Sequence, residues 1–235
     1  MRRAYEQVAA QMRQWIVAGF LDVGDKLPTE AELCVQFGTS RSTIREALRL
    51  LASERLIVTN PGAYGGSVVS RPTVGDVTAD LTTSLAALVG ASDLSLAEML
   101  EVRLTMEVPA AGIAAAKRTD QHLTRLEKLV PAEVPKVDEL FEVDRAFHQT
   151  MLEATGNRLL PIVAVPVFEV SARRVPRHLI ESSTWRRVLD EHRAILNAVK
   201  AGDVTAAQDA MRGHLSRLAA DYEAARLVEQ GGASG

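Results

Sequence analysis

A single cysteine, Cys34, leaves no second thiol for an internal disulfide and none for a paired-cysteine zinc knuckle. As a small apolar residue inside a helical pattern it reads as a core filler rather than a nucleophile. No uninterrupted apolar run is long enough to span a bilayer, and the opening MRRAYEQVAAQMRQW mixes charge with apolar residues, unlike a secretory leader. The expectation is a cytoplasmic protein with no membrane partner. Strong charge of one sign is also missing: the formal net charge is −3, with nine Lys and Arg against seven Asp and Glu over residues 1–72, and eighteen against twenty-three over 73–235. That asymmetry is too slight to establish a polyanion partner. No internal repeat or low-complexity block interrupts the chain. What is present is apolar material, 47% of 235 residues, enough for one large domain or two modest ones with real cores.

Residues 4–18 repeat apolar positions at helical spacing, with Val8, Met12, Trp15 and Ile16 on one side, before GFLDVGDKLP breaks the pattern. Thr29 and Glu32 have capping-box spacing ahead of AELCVQF, and Gly38 stops that short helix. A further helix opens at once in TSRSTIREALRLLASERL. Ile44, Ala47, Leu48 and Leu51 form its apolar face, and Arg41, Arg45 and Arg49 recur one turn apart on the other. Two short β-like runs, LIVT and SVVS, follow around a glycine-rich tip. From Thr73 onward the periods are helical, near 74–90, 95–117, 120–130, 136–155, 158–181, 184–201 and 204–228. Pro161 and Pro166 imply a kink or a later start in the fifth of these. The expected fold is mainly α, an amino-terminal winged helix-turn-helix plus a carboxyl-terminal all-α bundle. Its parts are a winged helix-turn-helix domain over 1–72, an all-α domain over 73–228, and a disordered tail over 229–235.

The amino-terminal residue types suit DNA. An arginine fork fits the O6 and N7 of guanine or a phosphate, and Ser40, Ser42 and Thr43 at a helix start can donate to phosphate oxygens. Gly65 and Gly66 let a wing tip approach the sugar-phosphate backbone. The alternative is a solvated, arginine-rich helix in another small domain. The stretch GDKLPTEAELCVQFGTSRSTIREALRLLASERLI resembles the signature of the GntR family of bacterial transcription regulators. That resemblance implies that Arg41, Thr43, Arg45 and Arg49 face an operator and that the Gly65–Gly66 tip borders the minor groove. Two departures stand out: Ala31 where the family often has arginine, which puts one usual base contact in doubt, and Arg55 where it often has glycine.

In VDRAFHQTM, Asp144 and His148 share one helix face, and His192 and His214 fall on later helices. Three imidazoles and a carboxylate suit Zn²⁺, Ni²⁺, Mn²⁺ or Fe²⁺; taken singly, each histidine reads rather as an ordinary partly buried or surface residue, as His122 and His178 are expected to be. VDRAFHQTMLEATGN and DEHRAILNAVKAGDVTAAQDAMRGHL resemble the FCD effector domain of FadR-like regulators, a helical bundle. The resemblance implies a divalent metal, zinc first, held by Asp144, His148, His192 and His214. It also implies an effector site in which Arg103 holds a small carboxylate or sugar acid. Asn157 and Trp185 are candidates for lining that site, whereas Arg173 and Arg174 read rather as a solvated charged face. The reading is therefore a metal-containing, ligand-responsive regulator and not an enzyme, by default a repressor, working as a homodimer on double-stranded DNA and associated with the nucleoid when bound. The joint Ser70 to Asp76 would express the change. The rivals are a metalloenzyme using the His and Asp cluster, and a regulator whose effector is the metal ion itself.

Overall fold

Apolar residues at helical spacing produce α1 (Ala4–Val17), which buries Val8, Ala9 and Met12. The computed structural model describes residues 3–60, 66–91, 94–134, 136–173 and 182–232. Helix α2 (Glu30–Phe37) starts on the expected capping box: Thr29 Oγ1 accepts from Glu32 N–H, and Glu32 accepts from Thr29 N–H. It ends where Gly38 turns left-handed at φ 59°. Helix α3 (Arg41–Ser53) is capped by Ser40, whose hydroxyl accepts from Thr43 N–H at 3.3 Å. Ile44, Ala47 and Leu51 are fully buried in a core shared with α1 and with Leu33 of α2, leaving Arg41, Arg45 and Arg49 on the exposed side. Cys34 packs, half-buried, at the edge of the same core.

The end of α3 explains one departure from the family pattern. Arg55 N–H donates to Ala52 O and Leu56 N–H to Leu51 O, a Schellman closure that forces Arg55 to φ +59°. Among the described residues it is the only non-glycine with positive φ. Its Nε sits 3.2 Å from Asp76 Oδ1. The wing follows as an antiparallel pair, β1 (Ile57–Asn60) and β2 (Gly66–Val69), registered Ile57 to Val69 and Asn60 to Gly66. The connection between α1 and α2 adds to this ribbon, because Leu27 N–H donates to Ser67 O and Lys26 bridges Val68.

The chain divides into two compact units, Met1–Asp76 and Val77–Gly235, the division falling in the first turn of α4 (Val74–Gly90). The second unit continues as α5 (Leu96–Lys117), α6 (Asp120–Lys128), α7 (Val137–Glu153), α8 (Leu159–Arg173), α9 (Ser182–Ala201) and α10 (Val204–Gly232). Helix α10 thus extends past the residue at which a tail was expected to begin; residues 233–235 lie outside the described residues. Helix α5 is the hub, packing on α7, α8, α9 and α10. Its Ala110, Ala111, Gly112, Ala114 and Ala115 are small enough for neighbours to come close, and a Cβ at Gly112 would meet the Gln208 side chain at 2.6 Å. Pro109 lies within α5, where its ring leaves the Thr105 carbonyl without an i+4 donor, yet the helix runs on. Pro161 falls in the first turn of α8, where amides have no intrahelical partner, and Pro166 sits buried within the helix. No helix among the described residues is long and apolar enough to cross a membrane.

The left-handed arginine gives a direct test. An L side chain there costs roughly 1–2 kcal/mol, more than an exposed ion pair of about 0–1 kcal/mol contributes. Arg55→Gly should therefore raise the unfolding midpoint by a net ~0.5–1 kcal/mol after allowing for glycine's looser unfolded chain. Denaturant unfolding of both proteins measures it, and a lower midpoint would assign the Asp76 pair the larger effect.

Candidate metal centre

Why a carboxylate and an imidazole stand one turn apart beside an apolar face becomes plain from α7. Asp144 and His148 occupy the inward stripe together with Phe147 and Met151, so they are core positions filled by ligating groups. The same substitution recurs on α9, where His192 sits among Val188, Leu189, Ile195 and Leu196, and on α10, where His214 sits between Met211 and Leu215. Relative exposures of 3%, 2%, 0% and 0% for Asp144, His148, His192 and His214 place all four away from solvent. One ligating atom from each lies within 4.8 Å of the others. The set could hold a metal ion. Phe147 stacks on the His192 ring, centroids 4.0 Å apart and planes 7° from parallel, fixing its orientation.

Two acids that sequence reasoning had not singled out complete the geometry. Glu107 of α5 places Oε2 2.5 Å from His148 Nδ1, and is itself held by Arg103 Nε, which donates to its Oε1 at 2.6 Å. Glu191 of α9 accepts from His214 Nδ1 at 2.7 Å and from Arg217 Nε at 2.5 Å. The Glu191 carboxylate on His214 Nδ1 draws that ring's proton to its side, which leaves His214 Nε2 as an acceptor, and Glu107 stands close beside His148 Nδ1. The Nε2 atoms of His214 and His148 face each other at 3.3 Å. Asp144 Oδ1 is 3.3 Å from His192 Nε2 and 3.6 Å from His148 Nε2, and neither Asp144 oxygen nor either His192 nitrogen has a hydrogen-bond partner among the described residues. A second proton on His148 can bridge the two Nε2 atoms, and a metal ion in its place would be met by the same nitrogens and by the Asp144 oxygens. The donor set, nitrogen-rich with one hard oxygen, fits a divalent transition metal.

The proton affinities follow from this crowding. Burial would lift Asp144, but the facing His148 and His192 rings and Arg103 outweigh it and hold the carboxyl below its usual range. Glu107 is likewise lowered, burial being outweighed by Arg103 and His148. Burial pushes His192 well down and the neighbouring His214 adds to that. His214 is lowered by burial against the pull of Glu191. His148 alone goes up, because Glu107 and Asp144 overcome its burial. The cluster therefore sets ionised acids beside neutral His192 and His214 and a His148 that holds its proton more tightly, and a metal bound there would displace that proton.

The effector candidates separate. Arg103 is buried at α5 with its guanidinium carbon 4.6 Å above the Phe168 ring, and its Nη1 has no partner among the described residues. Trp185 is buried, packed edge-on against Phe141 at 4.7 Å, its Nε1 also without a partner there. Asn157 is not brought to this interior: it is exposed, and its Oδ1 accepts from Leu159 N–H at the start of α8. Arg173 is exposed and 3.7 Å from Glu169, whereas Arg174 and His178 lie outside the described residues. His122 is half-buried and takes the capping-box position at the head of α6, with Nδ1 3.2 Å from Thr119 N.

In the first unit, Ser40, Ser42, Arg41, Arg45 and Arg49 are exposed on α3 and Thr43 is half-buried. Arg45 Nε donates to both Glu30 oxygens at 3.1 and 2.9 Å, and Arg49 Nη1 to Glu46 at 2.5 Å. Between α3 and the ribbon runs a groove of about 800 Å³, lined by Lys26, Arg45, Arg49, Asn60, Gly66 and Ser67 among others. Gly66 has φ +135°, and Gly65 lies outside the described residues.

Comparison with known proteins gives two family matches: residues 4–64 fit "Bacterial regulatory proteins, gntR family" and residues 98–217 fit "FCD domain". The chain is 31% identical over 208 residues to the HTH-type transcriptional regulator LutR of Bacillus subtilis (strain 168), covering 85% of this chain and 92% of that one. It is 28% identical over 212 residues to the galactonate operon transcriptional repressor of Escherichia coli (strain K12), with 87% and 90% covered. Among solved structures it resembles Streptococcus agalactiae GntR at a TM-score of 0.57 and 26% identity, covering 92% of this chain and 98% of that one.

Since Glu191 sets the proton on His214, Glu191→Gln should lower zinc affinity roughly 10- to 100-fold, and His214→Ala should lower it further. Competition with a chromophoric chelator reads both; unchanged affinity in His214→Ala would exclude that imidazole as a ligand.

Proposed function

The chain belongs to the GntR family of bacterial regulatory proteins, with an FCD domain behind its DNA-binding unit, and from that premise we propose that it is a repressor released from its operator when a small carboxylate binds at a divalent metal. The broader assignment, a ligand-responsive DNA-binding transcription regulator rather than an enzyme, stands on the two family matches and the named relatives. The metal reading rests on one observation above others: one ligating atom from each of the buried Asp144, His148, His192 and His214 lies within 4.8 Å of the others, while the Asp144 oxygens and His192 nitrogens have no hydrogen-bond partner among the described residues. Zinc is the first choice, being content with imidazole and carboxylate and indifferent to geometry; nickel, manganese and iron are the alternatives.

In this reading Asp144, His148, His192 and His214 hold the ion, and the effector's carboxylate takes a coordination position that four protein ligands leave free. Arg103, fixed on one side by Glu107, offers its remaining nitrogen to the same anion. In the first unit Arg41, Arg45 and Arg49 read bases, Ser40, Ser42 and Thr43 engage phosphates, and the Gly65–Gly66 turn borders the minor groove. A homodimer follows from the economy of DNA reading, since one recognition helix specifies few base pairs and two-fold pairing doubles them. The site of action is the cytoplasm, on nucleoid DNA. An effector with equal affinity for the DNA-competent and DNA-released forms would shift nothing, so the acid must favour the released one.

A thermal-shift screen of small carboxylates and sugar acids on the zinc-loaded and the chelated protein tests the input. The expected result is a raised melting temperature with acid only when zinc is present; stabilisation that survives chelation would place the acid elsewhere. For the output, the double variant Arg45→Ala, Arg49→Ala should bind operator DNA roughly 100-fold more weakly. Full retained affinity would count against α3 as the reading helix.

A further inference from the structure

We infer that Glu191 is the door through which a metal ion enters and leaves the buried cluster, and that Arg217 and Arg187 are its latch. The inference rests on the metal reading above and adds to it a route and a control over the rate of exchange.

All four proposed ligands are buried, so an ion arriving from water must trade its hydration shell for protein oxygens on the way in. Besides Asp144, two acids among the described residues touch the ligating imidazoles. Glu107, beside His148, has a side chain only 4% exposed and is closed off by Arg103. Glu191, on His214, is 10% exposed and stands on the solvent side of that ring. A carboxylate in this place can take a cation from water and pass it to the imidazole behind, because either oxygen serves as a ligand.

Both of its oxygens are occupied. Oε2 accepts from His214 Nδ1 at 2.7 Å, and Oε1 accepts from Arg217 Nε at 2.5 Å. Arg187, one turn before Glu191 on α9, has its Nε 3.6 Å from the same Oε1 and pairs through Nη2 with Asp221 of α10. Two guanidinium groups, on side chains 52% and 41% exposed, thus cover the outer oxygen and meet an approaching cation with like charge. His214, Arg217 and Asp221 recur at steps of three and four along α10, so ligand, latch and anchor share the stripe that meets α9.

Gly213 is an independent sign that the latch is built. It precedes His214 within α10, where glycine weakens a helix relative to alanine. A Cβ there would stand 3.2 and 3.3 Å from the two Nη atoms of Arg217, closer than side chains ordinarily pack. The glycine makes room for the guanidinium to lie back along its own helix and reach Glu191. A freely exposed arginine pair would hold little; this one closes on a carboxylate that is mostly buried, where such a bond is stronger.

Stopped-flow measurements on the full chain test the inference, following zinc uptake by the metal-free protein against a chromophoric chelator and zinc loss into excess chelator. Arg217→Ala should take up zinc roughly tenfold faster than the wild type and also lose it faster. Gly213→Ala displaces the guanidinium by a few tenths of an ångström and favours the helix. It should speed uptake and loss by the same factor, leaving zinc affinity unchanged and the metal-free melting temperature equal or higher. Unchanged uptake in both variants overturns the inference, and so does faster loss without faster uptake, which would mean a weakened site and not an opened path; either result leaves the metal reading intact. Failure of the wild type to bind zinc overturns that reading, and this inference with it.

Discussion

The carboxyl-terminal unit is organised around a repulsion. Three imidazoles and a carboxylate converge within 4.8 Å in the middle of a helical bundle, where water cannot screen them. A core of this kind is stable only if proton positions are controlled and a positive charge reaches the centre. Glu107 and Glu191 control the protons on His148 and His214, and both acids are held by arginines, Arg103 on α5 and Arg217 on α10. The packing of α5 against α7, α8, α9 and α10 then has a second purpose. It delivers ligands from three helices and supporting groups from α5 to one point.

The amino-terminal unit is governed by different physics. Its core is a conventional apolar one, and the charged side of α3 is left to solvent, with Arg45 and Arg49 parked on Glu30 and Glu46. Such exposed pairs are weak and are readily exchanged for phosphate or a guanine edge. The Schellman turn that ends α3 sets the chain into the wing, and Arg55 accepts a left-handed backbone to make it. The glycine usual at that position in the family is thereby explained by backbone geometry rather than by contact with DNA.

Much of this was legible in the chain itself. Helix periods, the Thr29–Glu32 and Ser95–Glu98 capping boxes and the glycine-bounded turns located the elements to within a few residues. The i, i+4 spacing of Asp144 and His148 identified the helix face that carries them. Pro166 lies inside α8, where a buried helix can tolerate the hydrogen bond that the proline removes. Asn157 was attributed to the interior on its motif, whereas its side chain serves the start of α8. Glu107 and Glu191 carried no local signal: a glutamate four residues after an arginine, or beside a histidine, is ordinary on any helix.

Local sequence, then, determined where helices begin and end, which faces are apolar, and which residue types could ligate or read DNA, since capping, periodicity and side-chain chemistry act over one or two turns. Tertiary packing alone decided that residues as distant as 107, 148, 191 and 214 come into polar contact, and which buried polar atoms lack a partner among the described residues. Those outcomes depend on the approach of helices far apart in the chain, and no periodicity within one helix encodes the distance to another.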